Sequence, residues 1–201
     1  MDKLSVCIFC DNIPEHMNKD ETAIYCFAHH KINIPLMSRA LSYHDMKYDV
    51  YILENKELMS GVSCFKDNKE LYKERNINVK PIPYDENWIN TKIECDAILS
   101  FFLEKQIKNI ILVAPAFHIE RATMTCISSL IDKGKEQDIC LFSKAASIEN
   151  WNDHTISHQG KTECSFYDMV LLEEERIQKY TQKGDIHSVP EIMEYYQLKR
   201  I

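Results

Sequence analysis

Apolar runs five to seven residues long recur along the chain, each followed by a segment with helical period. TAIYCFA (22–28), DVYIL (49–53), NIILVA (109–114) and DICLF (138–142) are too continuous for strands with one wet face. Near-continuous apolar strands belong to parallel sheets covered on both faces, because each face must be buried. The segments between them read as helices: Pro35 onward (PLMSRALSYHDM), Phe65–Arg75, Thr91–Glu104 and Ile119–Lys133. VKPIP (79–83) is extended, and its two prolines suit a strand at the edge of a sheet. Strand alternating with helix predicts a doubly wound, Rossmann-like three-layer α/β/α fold. Two more helices, Cys164–Thr181 and Pro190–Lys199, follow, and Gly184 is placed to stop the first of them. The expected organisation is an N-terminal extension (1–21), an α/β domain (22–145) and a C-terminal helical extension (146–201) packed on the same domain.

What the chain lacks narrows its chemistry. Its four glycines, at 61, 134, 160 and 184, form no G-x-G-x-x-G and no G-x-x-x-x-G-K-[ST]. There is no G-x-S-x-G nucleophile elbow either. The formal charge is −7, and KGKEQD (133–138) and YKER (72–75) mix both signs, so no basic face for nucleic acid is predicted. No apolar stretch reaches the roughly 20 residues of a membrane span, and Leu4–Cys10 is short for a secretory signal. A cytoplasmic protein is expected. Of eight cysteines only Cys7 and Cys10 form a C-x-x-C, and the rest are scattered singly, which reads as buried thiols rather than a zinc site. His29-His30 is marked by no third ligand at metal spacing, so no metal is assigned.

In a doubly wound sheet, ligands bind outside the carboxyl ends of the strands. There the sequence places His29 and His30, with Arg39 one turn into the next helix. Ser60 and Gly61 follow the second strand. Tyr84, Asp85, Asn90, Thr91 and Glu94 follow the third, Pro115, Phe117, His118 and Arg121 the fourth, and Ser143 the fifth. In PAFHIERA (115–122), His118 and Arg121 stand three apart at a helix start, on one face. Backbone N–H groups, a guanidinium that can grip an anion with two bonds, and an imidazole near its titration range would together make an anion site. The other reading pairs Arg121 with a carboxylate and leaves His118 to fill a loop. Thr91 and Glu94 have the spacing of a capping box, with Thr91 as N-cap, which alone would account for both. Trp151 either stacks a ligand ring or covers the sheet edge.

In this order, Arg39-Ala40, Ser60-Gly61, NTKIE (90–94), HIERA (118–122) and ERIQKYTQKGD (175–185) resemble the YdcF-like family, the domain of unknown function 218. The likeness covers roughly residues 22–145, and NTKIE and HIERA carry it. The chain departs from the family pattern at Ala28-His29, where a glycine is usual, and at Ser60-Gly61-Val62, where the family has Ser-Gly-Gly. The resemblance implies a Rossmann-like layer and a polar pocket. Arg39, Ser60, Gly61, Asn90, Thr91 and Arg121 would bind the ligand, with His118 and Glu94 as acid–base groups. It implies an anionic or nucleotide-like metabolite, with S-adenosylmethionine the cofactor suggested by the family, but no defined reaction. The alternative is a non-catalytic interaction or regulatory protein on the same fold.

Overall fold

The computed structural model describes residues 13–27, 33–42, 47–55, 64–85, 89–156 and 163–199. A 3-10 turn (Lys19–Glu21) leads into β1 (Thr22–Cys26), followed by α1 (Ile34–Ser42), β2 (Asp49–Glu54), α2 (Phe65–Lys73) and β3 (Val79–Pro83). Then come α3 (Thr91–Glu104), β4 (Asn109–Pro115), α4 (Ile119–Asp132) and β5 (Cys140–Ala146). A two-stranded antiparallel ribbon, β6 (His154–Ile156) with β7 (Glu163–Ser165), precedes α5 (Phe166–Lys183) and α6 (Val189–Lys199).

The central sheet has five parallel strands in the order β3-β2-β1-β4-β5. The period-2 alternation divides the core. Ala23, Tyr25, Phe27, Ile110, Leu112 and Ala114 face the layer of α3, α4 and α6. Ile24, Cys26, Ile111 and Val113 face α1 and α2, where Met37, Leu41 and Tyr72 meet them. With both faces covered, β1 is buried along its whole length, which is why it reads as an uninterrupted apolar run. β3 lies at one edge, as Pro81 and Pro83 require of a strand that cannot donate at those positions.

At the other edge, α6 covers β5. The Tyr195 hydroxyl accepts from the Leu141 N–H at 2.8 Å and donates to the Ile139 carbonyl at 3.0 Å. An open edge strand invites pairing with another chain, and a covering helix prevents it. Both α5 and α6 also contact α4.

The element bounds correct several readings. DICLF yields a strand that starts later and runs to Ala146, so Ser143 lies inside β5, buried and 2.5 Å from the Thr123 hydroxyl, rather than at a strand end. Residues 163–165 pair as β7 before the helix begins at Phe166, and Ser165 caps that helix by accepting from the Asp168 N–H. Cys26, Cys95 and Cys126 are buried thiols, the last two meeting between α3 and α4.

Candidate functional site

The chain runs β1 to β3 outward on one side of β1, then returns to place β4 on the other. Neighbouring strands therefore continue in opposite directions at the β1/β4 boundary, which is the usual ligand position in such sheets. Beyond β4 the chain needs only one turn to start a helix. The His118 N–H donates to the Pro115 carbonyl at 2.8 Å, and the His118 carbonyl accepts from the Ala122 N–H. That turn sets His118 as the N-cap residue of α4 and Arg121 in its first turn, both over the end of β4.

His118 is 0% exposed and Arg121 6%. Both converge on Glu173, a residue of α5 that is itself 3% exposed. Glu173 Oε2 lies 2.8 Å from His118 Nδ1 and accepts from Arg121 Nε at 2.6 Å, while Oε1 accepts from Arg121 Nη2 at 3.2 Å. The guanidinium thus grips the carboxylate with two bonds, the arrangement that a fork of donors favours. Its third nitrogen, Nη1, donates to the Thr91 hydroxyl at 2.6 Å. Arg176, one turn along α5, also donates to Glu173 Oε1.

Burial disfavours the charged carboxylate of Glu173, but His118, the Arg121 guanidinium and their hydrogen bonds outweigh it and hold its pKa well below the usual carboxylate range. Burial lowers the pKa of His118; Glu173 pulls it up, and Arg121 pushes it down again. The imidazole is therefore neutral near pH 7 and carries one hydrogen. An ionised carboxylate only accepts, so the 2.8 Å contact to Glu173, shorter than the 3.2 Å from Arg121 Nη2 to the same nitrogen, favours that hydrogen on Nδ1 and the lone pair on Nε2. The Phe27 ring, just past β1, packs edge-on against the imidazole at 5.8 Å between centroids.

A second buried pair lies one step inward. The Tyr25 hydroxyl of β1 donates to Glu94 Oε1 at 2.6 Å. Burial and the neighbouring Glu94 charge push the tyrosine pKa well up, so it stays a neutral donor. The capping-box reading of this turn needs correction. Asn90 caps α3, its side chain accepting from the Ile93 N–H at 3.0 Å. Thr91 is the first helical residue and its hydroxyl serves Arg121, while Glu94 turns to Tyr25. An asparagine one position earlier supplies the cap as well as threonine does.

The structure thus brings together His118, Arg121 and Thr91, with Glu94 and Asn90 in the same turn as Thr91. Arg39 stands apart: about half exposed, it pairs with Glu149 beyond β5. That pairing removes it from the buried trio, because helix α1 directs it to the opposite layer. Ser60, Gly61, Val62, His29, His30, Ser157 and His158 lie outside the described residues. Trp151 is partly exposed.

Glu173 escaped the sequence reading. It stands in a run of three glutamates that looks like solvated surface. The signal is its phase: Met169, Glu173 and Ile177 recur every four residues, which sets one carboxylate on the buried stripe of α5. Among the described residues no group of three or more His, Cys, Asp or Glu side chains is placed to hold a metal, and no helix is long and apolar enough to cross a membrane.

No family model and no curated protein matches the chain. A solved structure it is similar to is the YcaC gene product of Escherichia coli, described as an octameric hydrolase of unknown specificity. The two share 10% identity over 93% of this chain and 92% of that one, with a TM-score of 0.37. A likeness at that level carries no argument about activity or assembly.

Proposed function

We propose that this chain is a small-molecule-binding α/β protein that takes an anionic or nucleotide-like metabolite at the C-terminal ends of β1 and β4, with His118 as its acid–base group. One observation carries the proposal: a neutral imidazole and a guanidinium, both buried, are fixed by one buried carboxylate at the switch point of the sheet. Desolvating such a set costs about as much as its attraction returns, and well-packed apolar residues would serve stability equally well. Buried titratable groups with shifted pKa values gather where chemistry is done, and this is the place in the sheet where ligands bind.

In this reading Glu173 is a positioning residue. It holds the imidazole in the Nδ1–H tautomer, so that Nε2 is the atom that takes or returns a proton. Arg121 keeps Glu173 ionised and adds positive field beside the N-terminus of α4, rather than gripping the ligand itself. The YdcF-like resemblance in NTKIE and HIERA supports the same site, and S-adenosylmethionine enters the proposal only through it.

A second reading, a non-catalytic interaction or regulatory protein, is favoured by a separate fact. Each of the three Arg121 nitrogens already donates to Glu173 or Thr91. A thermal-shift series separates the two readings. Wild type and His118→Gln are screened against S-adenosylmethionine, nucleotides, nucleotide sugars and inorganic phosphate. A ligand at about 100 times its Kd stabilises the native state by about 2.7 kcal/mol. The site proposal expects one of these classes to raise the wild-type Tm, with the shift lost in the variant. No shift with any class, or an equal shift in both proteins, favours the second reading.

A further inference from the structure

We propose that His187 is a pH-sensitive latch holding the turn between α5 and α6 onto α4. Its two ring nitrogens face two carboxylates from different elements. Nε2 lies 2.9 Å from Asp132 Oδ1 at the end of α4, and Nδ1 lies 3.0 Å from Glu191 Oε1 in the first turn of α6. Ionised carboxylates only accept, so both contacts are satisfied only when both nitrogens carry hydrogen, which is the imidazolium.

The carboxylates cannot simply turn away. The other oxygen of Asp132 accepts from Lys92 Nζ of α3 at 2.7 Å, and that ammonium also reaches the Ser129 hydroxyl. The other oxygen of Glu191 accepts from the Ser188 N–H at 2.8 Å and from its hydroxyl at 2.6 Å, which is the carboxylate half of a capping box at the start of α6. The His187 backbone N–H donates to the Ser128 hydroxyl of α4 at 2.8 Å. The charged side chains facing the latch are therefore Asp132 from α4, Glu191 from α6 and, through Asp132, Lys92 from α3. The end of α5 contributes Thr181 and Gly184 to a hollow of about 250 Å³ beside the ring. The ring is partly exposed, so it exchanges protons with solvent.

Loss of one hydrogen leaves a lone pair pointing at a fixed carboxylate. The hydrogen bond to Asp132, then that to Glu191, raise the His187 pKa against partial burial. A group whose pKa is raised on folding contributes stability that is complete below the unfolded value and is lost as pH rises through the folded one. The docking of α5 and α6 therefore weakens with alkalinity, each unit of raised pKa corresponding to about a tenfold change in the folded-to-unfolded ratio.

The test is an NMR pH titration of His187 in wild type and in Asp132→Asn, together with thermal unfolding of wild type and His187→Gln at several pH values between about 6 and 9. The latch predicts a midpoint for His187 above the ordinary ~6.5, a lower midpoint in Asp132→Asn, and an alkaline loss of stability in wild type that is absent from His187→Gln. A midpoint at or below the ordinary value, or parallel pH profiles for wild type and His187→Gln, overturns it. The titration stands on its own if the glutamine variant does not fold.

Discussion

Glu173 ties three side chains from two helices to one carboxylate, so its replacement is the sharpest change a single residue can make here. Glu173→Gln keeps the shape but removes the charge that balances Arg121. Breaking one member out of a buried ion pair costs on the order of 3–5 kcal/mol, because the partner charge stays buried and uncompensated. Urea unfolding of the variant should show that loss in the midpoint with little change in slope. In wild type the sign of the pH effect follows from the depressed pKa of Glu173: its contribution is present above the unfolded carboxylate value and disappears as pH falls through the folded one. At this scale the sequence was legible where position carries the meaning. His118 and Arg121 at a strand end were readable as a pair. Their partner, 52 residues from Arg121, was not, because EEE resembles solvated surface unless its phase with Met169 and Ile177 is followed.

The elements show what the C-terminal helices are for. Tyr195 of α6 meets the outward-facing Leu141 N–H of β5 and the Ile139 carbonyl just before the strand. Tyr195→Phe keeps the ring in the core and leaves a buried N–H unpaired, a cost of about 1–3 kcal/mol. The expected outcome is a lower Tm and faster amide exchange at Leu141, with β3 on the far edge unaffected. Helices α3 and α4 could be bounded from sequence to within a residue because their apolar period is long and their starts carry turn or cap residues. The ribbon of β6 and β7 could not. Three residues per strand give too little alternation to distinguish from loop, and the pairing of His154 with Ser165 is a tertiary fact.

At the scale of the molecule, the apolar runs announced a parallel sheet covered on both faces, and the strand order β3-β2-β1-β4-β5 places its switch point between β1 and β4. That one topological feature sets Phe27, His118 and, through α5, Glu173 around a common point. Sequence position alone could assign residues to strand ends, but not tell which of them the layers would bring together: Arg39 shares the pattern yet belongs to the opposite layer and to Glu149. The central claim, that this point is an acid–base site built on a fixed imidazole, is most directly tested by the ring-nitrogen NMR spectrum of His118 in wild type. The account predicts a neutral ring with hydrogen on Nδ1 at about pH 7 and above, because burial lowers its pKa from the ordinary histidine value. It also predicts that any ligand raising the Tm shifts the Nε2 resonance. A ring protonated near pH 7, or hydrogen on Nε2, would contradict it.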